Sequence, residues 1–127
     1  MKSYHLFFVL LLASACSSTK RAEKAFGEHL FQHWVHAHEE DQAGYRAFRP
    51  ASYELPPSRG REGFEIRKDG SFLHYPIGAA DAPEQAAATW KLSGKSTLAV
   101  TPSGPGRPPF ELRILEVQKD LLKAAKQ

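Results

Sequence analysis

The hydrophobic positions of this chain follow three different patterns from one end to the other. Residues 6–12 form an uninterrupted apolar run. Phe26, Leu30 and Ala37 then recur at helical spacing, and from about Phe64 onward apolar and polar residues alternate. A period near 3.6 residues is typical of an amphipathic helix, and a period of two is typical of a half-buried strand. The chain is therefore predicted to be mainly β, with a short helix before the strands.

The alternating half of the chain predicts a series of short antiparallel strands. Asp69-Gly70 between two alternating runs is a strong hairpin signal, and residues 93–96 predict a second tight turn. Residues 102–109 are rich in proline and must form a loop, and a last strand is expected at 121–125. Turns at such short intervals favour an up-and-down meander that closes as a barrel or a sandwich. The apolar stripes are Phe64 and Ile66; Phe72 and His74; Ala88, Trp90 and Leu92; Leu98 and Val100; and Phe110, Leu112 and Ile114.

The segment before the meander allows two interpretations. Its helical spacing permits one helix from Lys20 to His38, but Gly27 interrupts it. A short helix over 21–29 followed by a strand over 33–40 is therefore favoured. Residues 45–61 contain three prolines and predict a long loop with one short strand near Tyr45.

The N-terminal residues have the features of an export signal. Lys2 provides a cationic start, the apolar run follows, and Ala13-Ser14-Ala15-Cys16 ends it with small residues and a thiol. The apolar stretch as a whole is about ten residues, roughly half the length that a membrane-spanning helix needs. Leu12 to Cys16 resembles the lipobox of bacterial lipoproteins, although Ala13 stands where leucine is more usual. The alternative is an ordinary signal peptide that happens to end in a cysteine.

The lipobox resemblance implies that Cys16 carries the lipid anchor of the mature chain. The predicted organisation is a signal peptide over 1–15, a lipidated tether over 16–24 and a single domain over 25–127. Ser17 and Ser18 follow the cysteine, and no aspartate stands next to it. In Gram-negative lipoproteins this resembles the default that directs a lipoprotein to the inner leaflet of the outer membrane, facing the periplasm.

The composition argues against one class of partner and limits how the fold can be stabilised. The chain has 17 Lys and Arg against 14 Asp and Glu, and loss of residues 1–15 removes one lysine, which lowers the net charge from +3 to +2. Without a basic stripe, no nucleic-acid partner is expected. Cys16 is the only cysteine, so disulfides are impossible once it is lipidated. The domain must therefore be held together by its buried core.

The order of landmarks resembles the small bacterial lipocalin-like domains, which are often lipoproteins. Trp34 opens the first strand, Gly63-Phe64-Glu65-Ile66 leads to Asp69-Gly70-Ser71-Phe72, and Thr89-Trp90-Lys91-Leu92 forms a second tryptophan strand. The resemblance covers residues 30–125 and implies an up-and-down β-barrel in which Trp34 plugs one end. The family usually has Gly-x-Trp at the first strand. This chain has Gln32-His33-Trp34 instead, so it lacks the glycine that would allow a close backbone approach there.

Histidines near the first strand are the first candidates for site chemistry. His36 and His38 would share one strand face with Trp34, beside the carboxylate of Glu39. Two imidazoles and a carboxylate are zinc ligands, but the spacing is irregular and zinc needs three or four ligands. No metal or other cofactor is expected, and metal binding by the His36/His38 strand remains an alternative.

Arginines and carboxylates form the second candidate group. Glu39, Glu40 and Asp41 are expected to pair with Arg46, Arg49, Arg59 and Arg61 in a structural network at one barrel mouth. The functional alternative is an anion site made by Arg59 and Arg61. Five aromatic residues (Trp34, Trp90, Phe64, Phe72 and Phe110) could line a cavity, but a packed core is favoured.

These features favour a binding protein over an enzyme. No nucleophile–base pair is visible, and the thiol is blocked if lipidated. We expect a membrane-anchored, non-enzymatic lipoprotein that binds a small apolar ligand or an envelope protein. The expected binding residues are Trp34, His36, His38, Glu39, Arg59 and Arg61. A periplasmic enzyme inhibitor, similar to barrel lipoproteins that block lysozyme, is the alternative, although those typically carry a disulfide.

Overall fold

The computed structural model describes residues 17–77 and 86–127, which form a closed eight-stranded antiparallel barrel with one α-helix. The helix, α1, covers residues 17–26, and 3₁₀ turns cover Glu28–Leu30 and His38–Glu40. The predicted fold class is confirmed. The strands are β1 (His33–His36), β2 (Arg46–Pro50), β3 (Gly63–Ile66), β4 (Ser71–Tyr75), β5 (Ala86–Ser93), β6 (Thr97–Pro102), β7 (Phe110–Gln118) and β8 (Leu121–Lys126).

From β3 to β8 each strand pairs with the next along the chain, as the meander predicts. The first two strands enter this order differently: β1 lies between β2 and β3, and β2 pairs with β8 to close the barrel. Because β1 is antiparallel to both neighbours, β2 and β3 run in the same direction. The connection over residues 51–62 therefore carries the chain from one end of the barrel to the other, past β1.

The turn residues behave as the sequence predicts. Gly70 lies in the β3–β4 hairpin at a φ of 92°, and Gly94 lies in the β5–β6 turn at a φ of 69°. Such positive φ angles are costly for residues with a Cβ, which is why glycine marks both turns. The proline-rich residues between Pro102 and Phe110 connect β6 to β7.

Two predicted boundaries differ from the structure. The helix occupies 17–26 rather than 21–29, so most of the expected tether is helical, and it ends at Gly27, which has a φ of 83°. The first strand ends at His36 rather than residue 40, because the chain turns into the second 3₁₀ turn. The signal segment over 1–15 and Cys16 lie outside the described residues.

The end of the barrel that α1 covers is closed by packed apolar side chains. Ala22 of α1 and Leu30 of the first 3₁₀ turn are fully buried in the core, and Phe26 and Phe31 pack against it. Trp34 is also fully buried, and its indole Nε1 donates a hydrogen bond of 3.0 Å to the Leu30 carbonyl. This end, the helix end, is filled as the predicted tryptophan plug requires.

Contacts of α1 place it against the turns at this end. Thr19 Oγ1 donates to the Lys68 carbonyl at 2.7 Å, and Arg21 Nη2 donates to the Leu92 carbonyl at 3.4 Å. Within residues 17–77 and 86–127, no helix is both long and apolar enough to cross a membrane.

Candidate ligand cavity at the open end of the barrel

The barrel holds a cavity of about 260 Å³ at the end opposite α1. It is lined by residues of β4 to β8 and of the β6–β7 connection. Pro102 ends β6, Phe110 begins β7 and Lys126 ends β8, so the cavity lies away from the turns that α1 contacts. The apolar part of the lining is Phe72, Pro76, Ala88, Pro102, Pro108 and Phe110, and the polar part is His74, Arg107 and Lys126.

A narrower space of about 40 Å³ adjoins this cavity within the barrel. Both are lined by Phe72, His74, Phe110 and Lys126. An eight-stranded barrel is just wide enough either to be filled by its own side chains or to hold one small ligand. Here the helix end is filled and the other end, the open end, retains space.

The strand alternation explains which side chains reach this space. Phe72 and His74 are two residues apart on β4 and therefore share the inward face. The ring of Phe72 stacks on Phe64 at a centroid distance of 5.3 Å and meets the edge of Phe110 at 6.0 Å. Phe48 meets Phe64 in a T-shaped pair at 4.9 Å. Phe72 belongs to the hydrophobic core cluster and Phe110 packs against it, and both also line the cavity. The barrel therefore contains a packed aromatic core that directly borders the cavity.

Charged side chains surround the cavity at the open end. Glu62 Oε1 lies 3.5 Å from Arg46 Nη1, and Glu62 Oε2 lies 3.7 Å from His74 Nε2. The nearby His74 imidazole, more than the Arg46 guanidinium, keeps the pKa of Glu62 below its ordinary value, although burial of the carboxyl opposes this shift. Lys126 Nζ lies over the Phe110 ring, 4.7 Å from its centroid. The cavity is therefore apolar within and charged at its edge.

The structure places the predicted binding residues in different surroundings. Trp34 is part of the packed core and does not line the cavity. His36 points inward from β1, and its Nε2 lies 2.9 Å from Asp41 Oδ2. His38 is not on the strand face with His36, because it belongs to the 3₁₀ turn, where its side chain is 52% exposed.

Asp41 explains why the strand ends where it does. Its carboxylate accepts hydrogen bonds from His36 and from the Ala47 backbone N–H, the latter at 2.8 Å. It therefore links the end of β1 to the start of β2. In the described part of the chain, no group of three or more His, Cys, Asp and Glu side chains is arranged to hold a metal ion.

The expected ion-pair network forms for two of the four arginines. Arg61 donates to both carboxylate oxygens of Glu39, at 2.8 and 2.6 Å, and Arg49 does the same to Glu40, at 2.9 and 2.6 Å. The hydrogen bonds from Arg61 lower the pKa of Glu39 to about 2. Arg46 pairs with Glu62 instead.

Arg61 also fixes the long connection over 51–62. Its guanidinium donates to the carbonyls of His36 and Pro56, at 3.0 and 2.7 Å. Because these contacts use the guanidinium donors within the protein, the geometry favours the structural role over an anion site. Arg59 is exposed and is not brought into this group.

The sequence did not single out most of the charged residues at the cavity. They come from five strands or connections that are spread along the chain: Arg46, Glu62, His74, Arg107 and Lys126. One signal was present: His74 occupies the inward stripe of β4 with Phe72, where an apolar residue would be expected in a packed barrel.

Comparisons of this chain with models of known families, with curated proteins and with solved structures each found no match. The fold and the cavity therefore define its class: a closed, eight-stranded antiparallel barrel with one filled end and one cavity-bearing end.

Proposed function

We propose that this protein is a non-enzymatic, lipocalin-like lipoprotein of the bacterial envelope that binds a small ligand in the cavity at the open end. The observation that carries the proposal is the cavity itself. Its lining is mainly apolar, with a few polar groups at one edge, which is the usual composition of a small-molecule site.

The proposed anchor gives the cavity an orientation. Cys16 directly precedes α1, and α1 packs on the helix end of the barrel. Lipid attached at Cys16 would therefore hold the helix end near the membrane, and the cavity would open away from it. Such an arrangement suits a ligand that arrives from the aqueous compartment.

Ala88→Leu tests the cavity because Ala88 lines it and an added isopropyl group would fill part of the space. Ala87→Leu is the matched control, since Ala87 is the preceding residue of β5 and is exposed. The test uses the full chain carrying Cys16→Ser, titrated with 1-hexanol and followed by amide chemical shifts. We expect shifts in β4, β5 and β7 that saturate for the parent and for Ala87→Leu and are lost for Ala88→Leu.

Equal binding by both leucine variants would place the ligand elsewhere and would contradict the proposal. The anchor is tested by the same Cys16→Ser change in cells, which should move the protein from the membrane fraction to the soluble fraction. Retention of the serine variant in the membrane fraction would contradict the lipoprotein assignment.

A further inference from the structure

We propose that the ligand of this cavity is a small amphiphile with a negatively charged head group, such as a short-chain carboxylate, which Arg46, Arg107 and Lys126 bind at the open end. This inference rests on the proposed function and specifies the chemical class of the ligand.

The first argument is the charge at the cavity edge. Among the described residues that line the two connected spaces, Arg46, Arg107 and Lys126 are cations and Glu62 is the single carboxylate. Three cations and one carboxylate give these four side chains a net charge of +2. Asp81 and Glu84 lie outside the described residues and are not part of the count.

The second argument is that these cations retain free donors. Within residues 17–77 and 86–127, no carboxylate lies within 4.0 Å of Arg107 or Lys126. Arg46 meets Glu62 through one nitrogen, at 3.5 Å, whereas a guanidinium has five N–H donors. Arg61 and Arg49 differ, because each is engaged by both oxygens of a carboxylate. The cations at the cavity can therefore accept an additional anion.

The third argument is the position of the cations around the apolar space. Arg46 begins β2, Lys126 ends β8, and Arg107 lies in the β6–β7 connection, so they approach from three elements. The Lys126 ammonium lies over the Phe110 ring, which itself lines the cavity. An anion held there would have its apolar part against Phe72 and Phe110. Low polarity beside the charges strengthens their attraction.

The fourth argument concerns size. An apolar cavity of about 150 Å³ can hold benzene, so a space of about 260 Å³ holds a somewhat larger group. Two acyl chains of a membrane phospholipid require several times this volume. The ligand is therefore a small soluble amphiphile rather than a bilayer lipid.

The experiment compares three probes with the same six-carbon chain: hexanoate, 1-hexanol and hexylammonium. Dissociation constants are measured by amide chemical shifts at pH 7 on the full chain carrying Cys16→Ser. We expect hexanoate to bind about tenfold more tightly than hexanol, because a hydrogen bond to a charged group is stronger than one between neutral groups. Hexylammonium should bind more weakly than either of the other two probes. Added NaCl should weaken the binding of hexanoate but not the binding of hexanol.

Two variants assign the effect to the cations. Lys126→Met and Arg107→Gln should each reduce the ratio of hexanoate affinity to hexanol affinity several-fold. Lys91→Met is the control, since Lys91 is an exposed lysine of β5 outside the cavity. Phosphatidylglycerol vesicles added as a competitor should not displace hexanoate.

The outcomes separate this inference from the proposed function. Equal affinity for hexanoate and hexanol would overturn the anion preference and leave the cavity function standing. Absence of binding by all three probes would contradict the proposed function itself. Displacement of hexanoate by the vesicles would contradict the inference that the ligand is soluble and would indicate that the cavity binds a bilayer lipid.

Discussion

Gly63 allows two neighbouring strands of the barrel to approach each other closely. A Cβ at this position would lie 2.5 Å from the Trp34 carbonyl oxygen and 3.5 Å from His33 Nε2. The sequence lacks the glycine that the lipocalin-like pattern has two residues before the tryptophan. The close approach to the tryptophan backbone is instead made possible by a glycine on the adjacent strand, which only the pairing of β1 with β3 reveals.

Gly63→Ala should lower the free energy of unfolding by about 1–3 kcal/mol, because backbone atoms must move to admit the methyl group. Gly104→Ala is the control, since nothing lies within 4 Å of a Cβ built there and its φ is not in the left-handed region. Urea unfolding measures both variants. An equal, small effect at the two sites would show that β3 can move away from Trp34 without loss.

Glu39 should make the stability of the protein depend on pH in a defined interval. Its pKa is lowered from the ordinary value of 4.5 to about 2, chiefly by the hydrogen bonds from Arg61. A carboxyl whose pKa is lower in the folded state stabilises the fold above its unfolded pKa, and the contribution disappears as the pH falls. The contribution of this pair should therefore be complete above pH 4.5 and be lost between pH 4.5 and 2.

The measurement compares the parent with Glu39→Gln by urea unfolding at several pH values. The stability difference between them should be largest above pH 4.5 and should shrink towards pH 2. Glu54→Gln is the control, because Glu54 is an exposed carboxyl of the connection over residues 51–62, which also contains Arg61. A difference that does not change with pH would mean that the Glu39–Arg61 pair does not contribute through its charge.

At the scale of elements, α1 is an integral part of the barrel rather than a linker. Its Ala22 is fully buried in the same hydrophobic cluster as the strands, whereas Ala25 on the same helix is exposed. The small size of Ala22 lets the helix lie close to the barrel end. Alanine also contributes little to an apolar stripe. For this reason the hydrophobic pattern predicted that the helix begins at residue 21, whereas it covers residues 17–26.

Ala22→Gln should destabilise the protein by about 2 kcal/mol, because a long polar side chain must enter a packed site. Ala25→Gln is a matched control with the same helix propensity change and an exposed side chain, and it should stay within about 0.5 kcal/mol. Thermal unfolding of both variants provides the comparison. Equal stability of the two would show that α1 does not close the helix end.

The first strand shows how a tertiary contact ends an element. Residues 37–43 contain no proline or glycine, so neither residue marks the end of the strand. The turn forms because Asp41 accepts a hydrogen bond from the Ala47 backbone and another from His36. These partners are fixed only when β1 and β2 pair.

At the scale of the whole molecule, one end of the barrel is packed and the other holds a cavity because different parts of the chain reach them. The helix end is filled by α1, Leu30 and Trp34, which come from one short stretch. The open end is lined by residues from β4 to β8, and its charges come from residues 46–126. The cavity thus lies beyond the packed core along the barrel axis and borders it at Phe72, which allows the cavity to remain without loss of the core.

The sequence by itself determined the β-rich class, the two glycine turns, the inward stripes and the last strand. These features depend on the period of two in apolar residues and on local backbone preferences, which act between near neighbours in the chain. Only the tertiary structure decided the position of β1 between β2 and β3, the path of residues 51–62 and the cavity. Those depend on contacts between residues far apart in sequence, such as Gly63 with Trp34 and the convergence of Arg46, Arg107 and Lys126, which no local pattern encodes.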